Sequence, residues 1–293
     1  MRIGTHNVNG IRAAHKRGAA EFWRTSGADV VCLQEVRCRA KDLPLDALDG
    51  WHATLELGQL AGRNGVAVLT RTPPVAVRTL HGEPAHTVAD GGLVEVPTLP
   101  TGGRDLLPAA THGRYLEVDL ADAPLRLVSL YLPKGSAYPY DGVDEPKYEF
   151  KMRFLRGLAR QLTRSRREAA RDGREFLIVG DFNIARDERD IKNWRGNLQS
   201  EGFLPEEREW FASILSPRTL VDVQRTLAGD VAGPYSWWSW RGQAFTNDAG
   251  WRIDYHLASP GLAKRATAAR TAREASYDGR MSDHAPVIVD YDL

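Results

Sequence analysis

Apolar and polar positions divide the chain into short strands and a few helices. Residues 2–7 read as a strand that ends in a turn, Asn7-Val8-Asn9-Gly10. The spacing of Ile11, Ala14, Ala19, Phe22 and Trp23 predicts a helix over 11–25 that stops near Gly27. Residues 29–33 form a second apolar strand ending in Gln34-Glu35. Residues 65–70 form a third, after which Pro73-Pro74 rule out a helix. From 83 to 113 Gly, Pro and Thr accumulate, which predicts a long surface loop with room for a short hairpin. Tyr115, Glu117 and Asp119 alternate with Leu116, Val118 and Leu120, as in a half-buried strand. Residues 125–132 are a further strand, interrupted by Pro133.

Residues 147–171 have helical spacing, with Phe150, Phe154, Leu155, Leu158 and Leu162 as the apolar stripe. Lys151, Arg153, Arg156, Arg160, Arg164, Arg166 and Arg167 make a basic opposite face, which reads first as a solvated one. Phe176 to Gly180 is an apolar run with β-branched members, read as a buried strand, although periodicity alone does not exclude a helix segment. A helix over 205–215 has Glu206-Glu207 near its N-terminus. Four of the eight tryptophans, Trp237, Trp238, Trp240 and Trp251, lie in 234–251. Residues 252–258 alternate again, and Ser282-Asp283-His284 precede a last strand over 286–291. Strands interleaved with two or three helices predict a layered α/β protein with mixed sheets, in a single domain over 1–293 with 83–113 as a surface insertion.

Composition narrows the class. The 293 residues are 42% hydrophobic and 26% charged, an ordinary globular balance. No run is long and apolar enough for a membrane span, and no secretory signal opens the chain, so the expectation is a cytoplasmic protein with no membrane contact. The two cysteines, Cys32 and Cys38, have no paired histidine motif, which argues against a structural zinc site or a disulfide framework. A net charge of +1 means that any anionic polymer would have to be met by a local patch.

Unusual polar residues sit at strand ends. Asn7, Glu35, Asp181 and Asn183 follow buried strands, and Asp283 and His284 precede one. If that last strand runs antiparallel to the others, all six meet at one edge. Taken alone, Asp181-Phe182-Asn183 reads more readily as an Asx-turn than as a site. The set of four strand ends is harder to explain by turns. Glu35, Asp181, Asn183 and Asp283 offer hard oxygen donors suited to Mg²⁺ or Mn²⁺. His284 could act as acid, base or hydrogen-bond donor, with Asp254 orienting it through the other ring nitrogen.

These residues carry a resemblance. Leu33-Gln34-Glu35, Gly180-Asp181-Phe182-Asn183, Trp251-Arg252-Ile253-Asp254-Tyr255 and Ser282-Asp283-His284-Ala285-Pro286 occur in order, with Asn7-Val8-Asn9-Gly10-Ile11-Arg12 and Tyr131-Leu132-Pro133. Together they resemble the exonuclease III family of apurinic/apyrimidinic endonucleases over nearly the whole chain. The resemblance implies a four-layered α/β sandwich of two mixed sheets with helices outside, the fold of DNase I. It also implies Mg²⁺-dependent cleavage of double-stranded DNA 5′ to abasic sites, with 3′→5′ exonuclease and 3′-phosphodiesterase activity, by a monomer. It makes Glu35 the principal metal ligand, with Asp283 and the Asn7/Asn9 region completing the metal site, to which Asp181, Asn183 and His284 also contribute. Asp181 would activate water with Asn183 orienting it, and His284 with Asp254 would stand beside the scissile phosphate, near the active-site Tyr131. Whether Asp181 or His284 takes the proton, and whether one metal or two act, stays open at this level.

The same resemblance gives Trp237 and Trp251 as walls of a pocket for an extruded abasic sugar, while Trp238 and Trp240 fit a core better. Asn9, Arg12 and Lys134 would meet the DNA, and the basic helix over 147–171 could add phosphate contacts, so that binding weakens with salt. Lys134 stands where relatives carry Asn or Gln, which would substitute a direct charge on phosphate. The alternative in the same fold is a phosphatase of inositol phosphates or a phosphodiesterase of phospholipid headgroups. A catalytically inactive nucleic-acid-binding module is disfavoured because the acids, base and ligands are all present.

Overall fold

The computed structural model describes residues 1–60, 62–89, 91–137 and 145–293. Its strands, in chain order, are β1 (Arg2–Asn7), β2 (Val30–Gln34), β3 (His52–Glu56), β4 (Val66–Thr70), β5 (Ala76–Thr79), β6 (Ala85–Ala89), β7 (Gly92–Val96), β8 (Leu99–Pro100), β9 (Tyr115–Asp119), β10 (Leu125–Tyr131), β11 (Glu175–Asp181), β12 (Val221–Asp222), β13 (Asp254–Ala258), β14 (Ala266–Thr271) and β15 (Val287–Tyr291). The helices are α1 (Ile11–Lys16), α2 (Ala19–Thr25), α3 (Glu145–Arg171), α4 (Pro205–Ile214), α5 (Val223–Ala228) and α6 (Pro260–Ala263). One sheet has the order β14-β15-β1-β2-β4-β3-β6-β7, the other β12-β13-β11-β10-β9-β5-β8.

Period-two alternation sorts the core into layers. Val30 and Cys32 of β2 and Leu177 and Val179 of β11 meet between the sheets, with Ile3, Val68, Leu116 and Leu127. Val31 and Leu33 point the other way, onto Ile11, Ala14 and Trp23 of the N-terminal helices. Phe176 and Ile178 likewise face Phe154, Leu158 and Leu162 of α3 and Phe211 of α4. The result is helices, sheet, sheet, helices.

The strand polarity gathers the site. β1 runs parallel to β2, and β10 parallel to β11, so their C-terminal ends emerge together. β15 is antiparallel to β1 and β13 antiparallel to β11, which brings the beginnings of those strands to the same rim. In the β11–β13 register Asp181 stands opposite Asp254.

Three expectations change. The helix over 11–25 is two helices, because Gly18 adopts φ +91° and turns the chain between α1 and α2. β9 is buried on both faces rather than half-buried. Glu117 and Asp119 lie under α3, where Tyr115 and Ser165 donate to Glu117 at 2.7 and 2.6 Å and Arg126 grips Asp119 at 2.6 and 2.9 Å. Residues 83–113 hold the expected short hairpin, but part of the segment packs into the core instead of staying at the surface. The β6–β7 hairpin forms the edge of the eight-stranded sheet, and Leu106 and Ala109 are buried in the α3 core. Among the described residues no helix is long and apolar enough to cross a membrane.

Candidate active site

Asp181 reaches the rim because Gly180 lets β11 come close to its neighbour. Gly180 has φ +136°, and a Cβ there would stand 2.0 Å from the Leu130 carbonyl oxygen. The chain then turns through Asn183, at φ +47°. The Asn183 amide donates to Asp181 Oδ1 at 2.8 Å, an Asx-turn, and its Nδ2 donates to Leu132 O at 2.9 Å and Asp181 Oδ2 at 3.2 Å. The turn, rather than the strand pleat, brings the two side chains together. Asn9 and Glu35 also hold left-handed backbone, at φ +44° and +53°. Arg37, at φ +47°, is a fourth, and such non-glycine residues at one rim mark strain that the surrounding contacts must hold.

Asn7 links the two sheets. Its Nδ2 donates to Glu35 Oε1 at 3.0 Å and to Asp181 Oδ2 at 2.8 Å, and its Oδ1 accepts the Asn9 amide at 3.0 Å. Asn9 Nδ2 donates to Asp283 Oδ1 at 2.9 Å, and Trp237 Nε1 donates to Asp283 Oδ2 at 3.2 Å. His284 Nδ1 lies 2.8 Å from Asp254 Oδ2, which also accepts the Ser236 hydroxyl at 2.6 Å. His284 Nε2 is 3.9 Å from Asp181 Oδ2.

Burial and neighbours set the charges. Burial, with the charges of Asp254 and Glu35, pushes the Asp181 carboxyl up to about 7 even though His284 opposes the shift. Burial works against the His284 imidazolium, but Asp254, Asp181 and Asp283 outweigh it and raise the ring to about 10. Burial, followed by Glu35, holds the Tyr131 hydroxyl well above the usual range, so it stays a donor.

A cavity of about 350 Å³ opens over this rim. Glu35, Tyr131, Lys134, Asn183, Asp283 and His284 line it, with Trp237 and Trp251 as walls. The two indoles meet edge to face, with centroids 6.0 Å apart at 88°. Asn7, Asp181 and Asp254 form a buried layer behind the lining. Arg12 does not line the cavity. It is exposed on α1, in a shallow groove with Lys16 that adjoins the cavity through Arg37. Trp238 is buried in the core, whereas Trp240 sits half-buried between Arg17 and Arg280, whose guanidiniums lie 5.0 and 4.1 Å from its ring.

A model of the Endonuclease/Exonuclease/phosphatase family matches residues 4–284. The chain belongs to this family. A Bacillus subtilis exodeoxyribonuclease is 26% identical over 98% of both chains. The Danio rerio DNA repair nuclease APEX1 is 29% identical, over 89% of this chain and 74% of its own length. Among solved structures, a 3′-5′ exonuclease from Neisseria meningitidis matches with TM-score 0.78 and 26% identity over the whole of both chains. An AP endonuclease from Archaeoglobus fulgidus, at 23% identity and TM-score 0.79, shares the fold. The four-layered sandwich of the sequence reading is therefore the family's fold, and the protein is a phosphodiester hydrolase of that family.

Family membership calls for a metal ion, and the donor set fits a hard divalent cation. Glu35 and Asp283 bring carboxylates to the cavity, and Asn7 holds Glu35 from behind. Among the described residues no three His, Cys, Asp or Glu side chains converge as a closed cage.

Several residues at the site escaped the sequence reading. Arg37 pairs with Glu35 and donates to Asn9. Arg114 lies 4.8 Å from the Tyr131 ring and donates to its carbonyl at 3.2 Å. Asp190 and Asp222 clamp the buried Arg252 guanidinium, at 2.7 and 2.8 Å, and so hold the segment that presents Trp251 and Asp254. Only Arg37, two residues after Glu35, had a local signal.

Proposed function

We propose that this protein is a divalent-metal-dependent DNA-repair nuclease that cleaves the phosphodiester 5′ to abasic sites and also trims 3′ ends. The observation that carries this reading is one cavity holding Glu35, His284 and Asp283 between the Trp237 and Trp251 walls. The names of the relatives support it, as does a structure of a Neisseria 3′ phosphatase bound to a product DNA hairpin. A baseless sugar is compact and apolar on its faces, so two edge-to-face indoles suit it better than the charged rim that a polyphosphorylated inositol would need.

Each side chain then has a task. The His284 imidazolium, fixed by Asp254, directs Nε2–H at a phosphate oxygen. Asp181, titrating near neutrality, is suited to take the proton of an attacking water. The 3.9 Å between His284 Nε2 and Asp181 Oδ2 is a gap that an oxygen about 2.8 Å from each would bridge. Asn183 orients Asp181, and Tyr131 offers a hydroxyl donor at the cavity lining beside Glu35. Lys134 meets the backbone once released from Glu201, whose carboxylate it holds at 3.2 Å. Glu35, with Asp283, would hold Mg²⁺, or Mn²⁺ in its place, and the bound ion would neutralise charge developing on the phosphate. In this reading the protein acts as a monomer on double-stranded DNA in the cytoplasm.

Glu35→Ala tests the assignment. Cleavage with Mg²⁺ should fall by about a hundredfold or more while affinity for an abasic duplex stays within a few-fold. Equal losses in cleavage and binding would remove Glu35 from the metal site.

A further inference from the structure

Lys151 belongs to the basic face of α3 by sequence, yet it points inward and is 1% exposed. Its ammonium has three partners for three donors. Nζ donates to Lys134 O at 2.9 Å and to Asn183 O at 3.0 Å, and pairs with Glu207 Oε1 at 2.6 Å. Glu207, also fully buried, accepts the Leu204 amide at 3.0 Å through its other oxygen.

These contacts tie three segments. One runs from Tyr131, the last residue of β10, to Lys134. The second runs from Asp181, the last residue of β11, to Asn183. The third begins α4. The first two leave neighbouring parallel strands, are joined by the Leu132 amide on Asp181 O at 2.8 Å and by Asn183 Nδ2 on Leu132 O at 2.9 Å, and both line the cavity. The loop at Lys134 is shaped to admit the lysine stem, because Gly135 has φ +76° and a Cβ there would stand 2.6 Å from Lys151 Cδ. The second contact falls on the carbonyl of Asn183, the residue held in left-handed backbone beside Asp181. The buried ammonium on that carbonyl adds to the bonds from the Asn183 amide and Nδ2 that hold this unfavourable turn.

We infer that Lys151 and Glu207 are positioning residues for phosphodiester cleavage, setting the distance between Asn183 with its partner Asp181 and the Tyr131–Lys134 side of the cavity. The inference rests on the nuclease reading only for its assay. A buried ion pair can often be replaced by apolar side chains without loss of stability, whereas removing one partner strands the other charge. That separates positioning from plain scaffolding.

The experiment compares the parent, Lys151→Met, Glu207→Gln and the double variant Lys151→Met/Glu207→Leu, by melting and by steady-state cleavage of an abasic duplex with Mg²⁺. The Lys151→Met chain should melt well below the parent. The double variant should recover to within about 5 °C, yet keep kcat at least tenfold low with KM within about twofold, since a displaced catalytic group lowers turnover rather than binding. Glu207→Gln, which keeps the shape, should lose less turnover than either. Recovery of kcat together with melting temperature in the double variant would overturn the inference, as would a loss carried by KM. Should the double variant fail to fold, Glu207→Gln decides: parental kcat there also overturns it. If the parent itself leaves the abasic duplex intact, the nuclease reading fails instead. The amide resonance of Asn183, unmoved in Glu207→Gln and in the double variant, would then still overturn the positioning role, and displaced in these two would support it.

Discussion

Asn7 and Asp181, 174 residues apart in the chain, are joined by a 2.8 Å hydrogen bond from Nδ2 to Oδ2. The bond crosses from the end of β1 in one sheet to the end of β11 in the other, and the same amide also holds Glu35. One carboxamide therefore spaces the two acids on which the account depends. Asn7→Ala would leave two buried carboxylates facing each other without their shared donor. A stability loss of about 1–3 kcal/mol is expected, with turnover down about tenfold or more. Urea unfolding and single-turnover cleavage would measure the two, and unchanged turnover would show that the spacing is not used.

Charge at the site predicts a pH dependence of stability when no divalent cation is bound. The folded His284 titrates at about 10, above the ordinary 6.5. Its contribution is full below pH 6.5 and is lost as pH rises through about 10. Asp181 is also raised, from 3.8 to about 7, so its contribution is full below about 3.8 and is lost as pH rises through about 7. Both slopes have the same sign. In chelator, the protein should be less stable at pH 9 than at pH 6. Asp254→Asn removes the charge that chiefly raises His284 and should flatten the upper part of that slope. Denaturation curves at several pH values would check it, and an identical slope in the variant would contradict the pairing.

Much of this was legible in the sequence, and the parts that were not share a cause. Apolar runs such as Phe176 to Gly180 marked strands, and polar residues at their ends marked a rim, because alternation fixes which face a side chain takes. Alternation does not say what covers the other face. Glu117 and Asp119 read as solvent-facing, but α3, Arg78 and Arg126 cover and neutralise them. Lys151 read as part of a solvated face for the same reason, since its partner Glu207 comes 56 residues later from α4. The His284–Asp254 pair was readable because each residue sits in a short motif at a strand end.

The basic residues divide by position. Arg12 and Arg37 flank the cavity, whereas Arg166 and Arg167 lie roughly 22 Å further along α3 from Lys151, at 1.5 Å per residue. Arg12→Gln should weaken duplex binding and reduce the slope of log affinity against log salt by about 0.9. Arg166→Gln/Arg167→Gln should leave that slope unchanged. Titrations of one duplex at several salt concentrations decide it, and a lowered slope in the double variant would put the far end of α3 in the interface.

The central claim is that acids, amides and one imidazole from both sheets form a single centre for cleaving DNA at a baseless sugar. Its most direct test offers the purified protein a synthetic abasic duplex, the undamaged duplex and an inositol phosphate, each with Mg²⁺ and with chelator. The account predicts fast incision 5′ to the abasic site with Mg²⁺, slower loss of nucleotides from the 3′ ends of the undamaged duplex, no release of phosphate from the inositol and no reaction in chelator. Hydrolysis of the inositol phosphate with both duplexes left intact would contradict it.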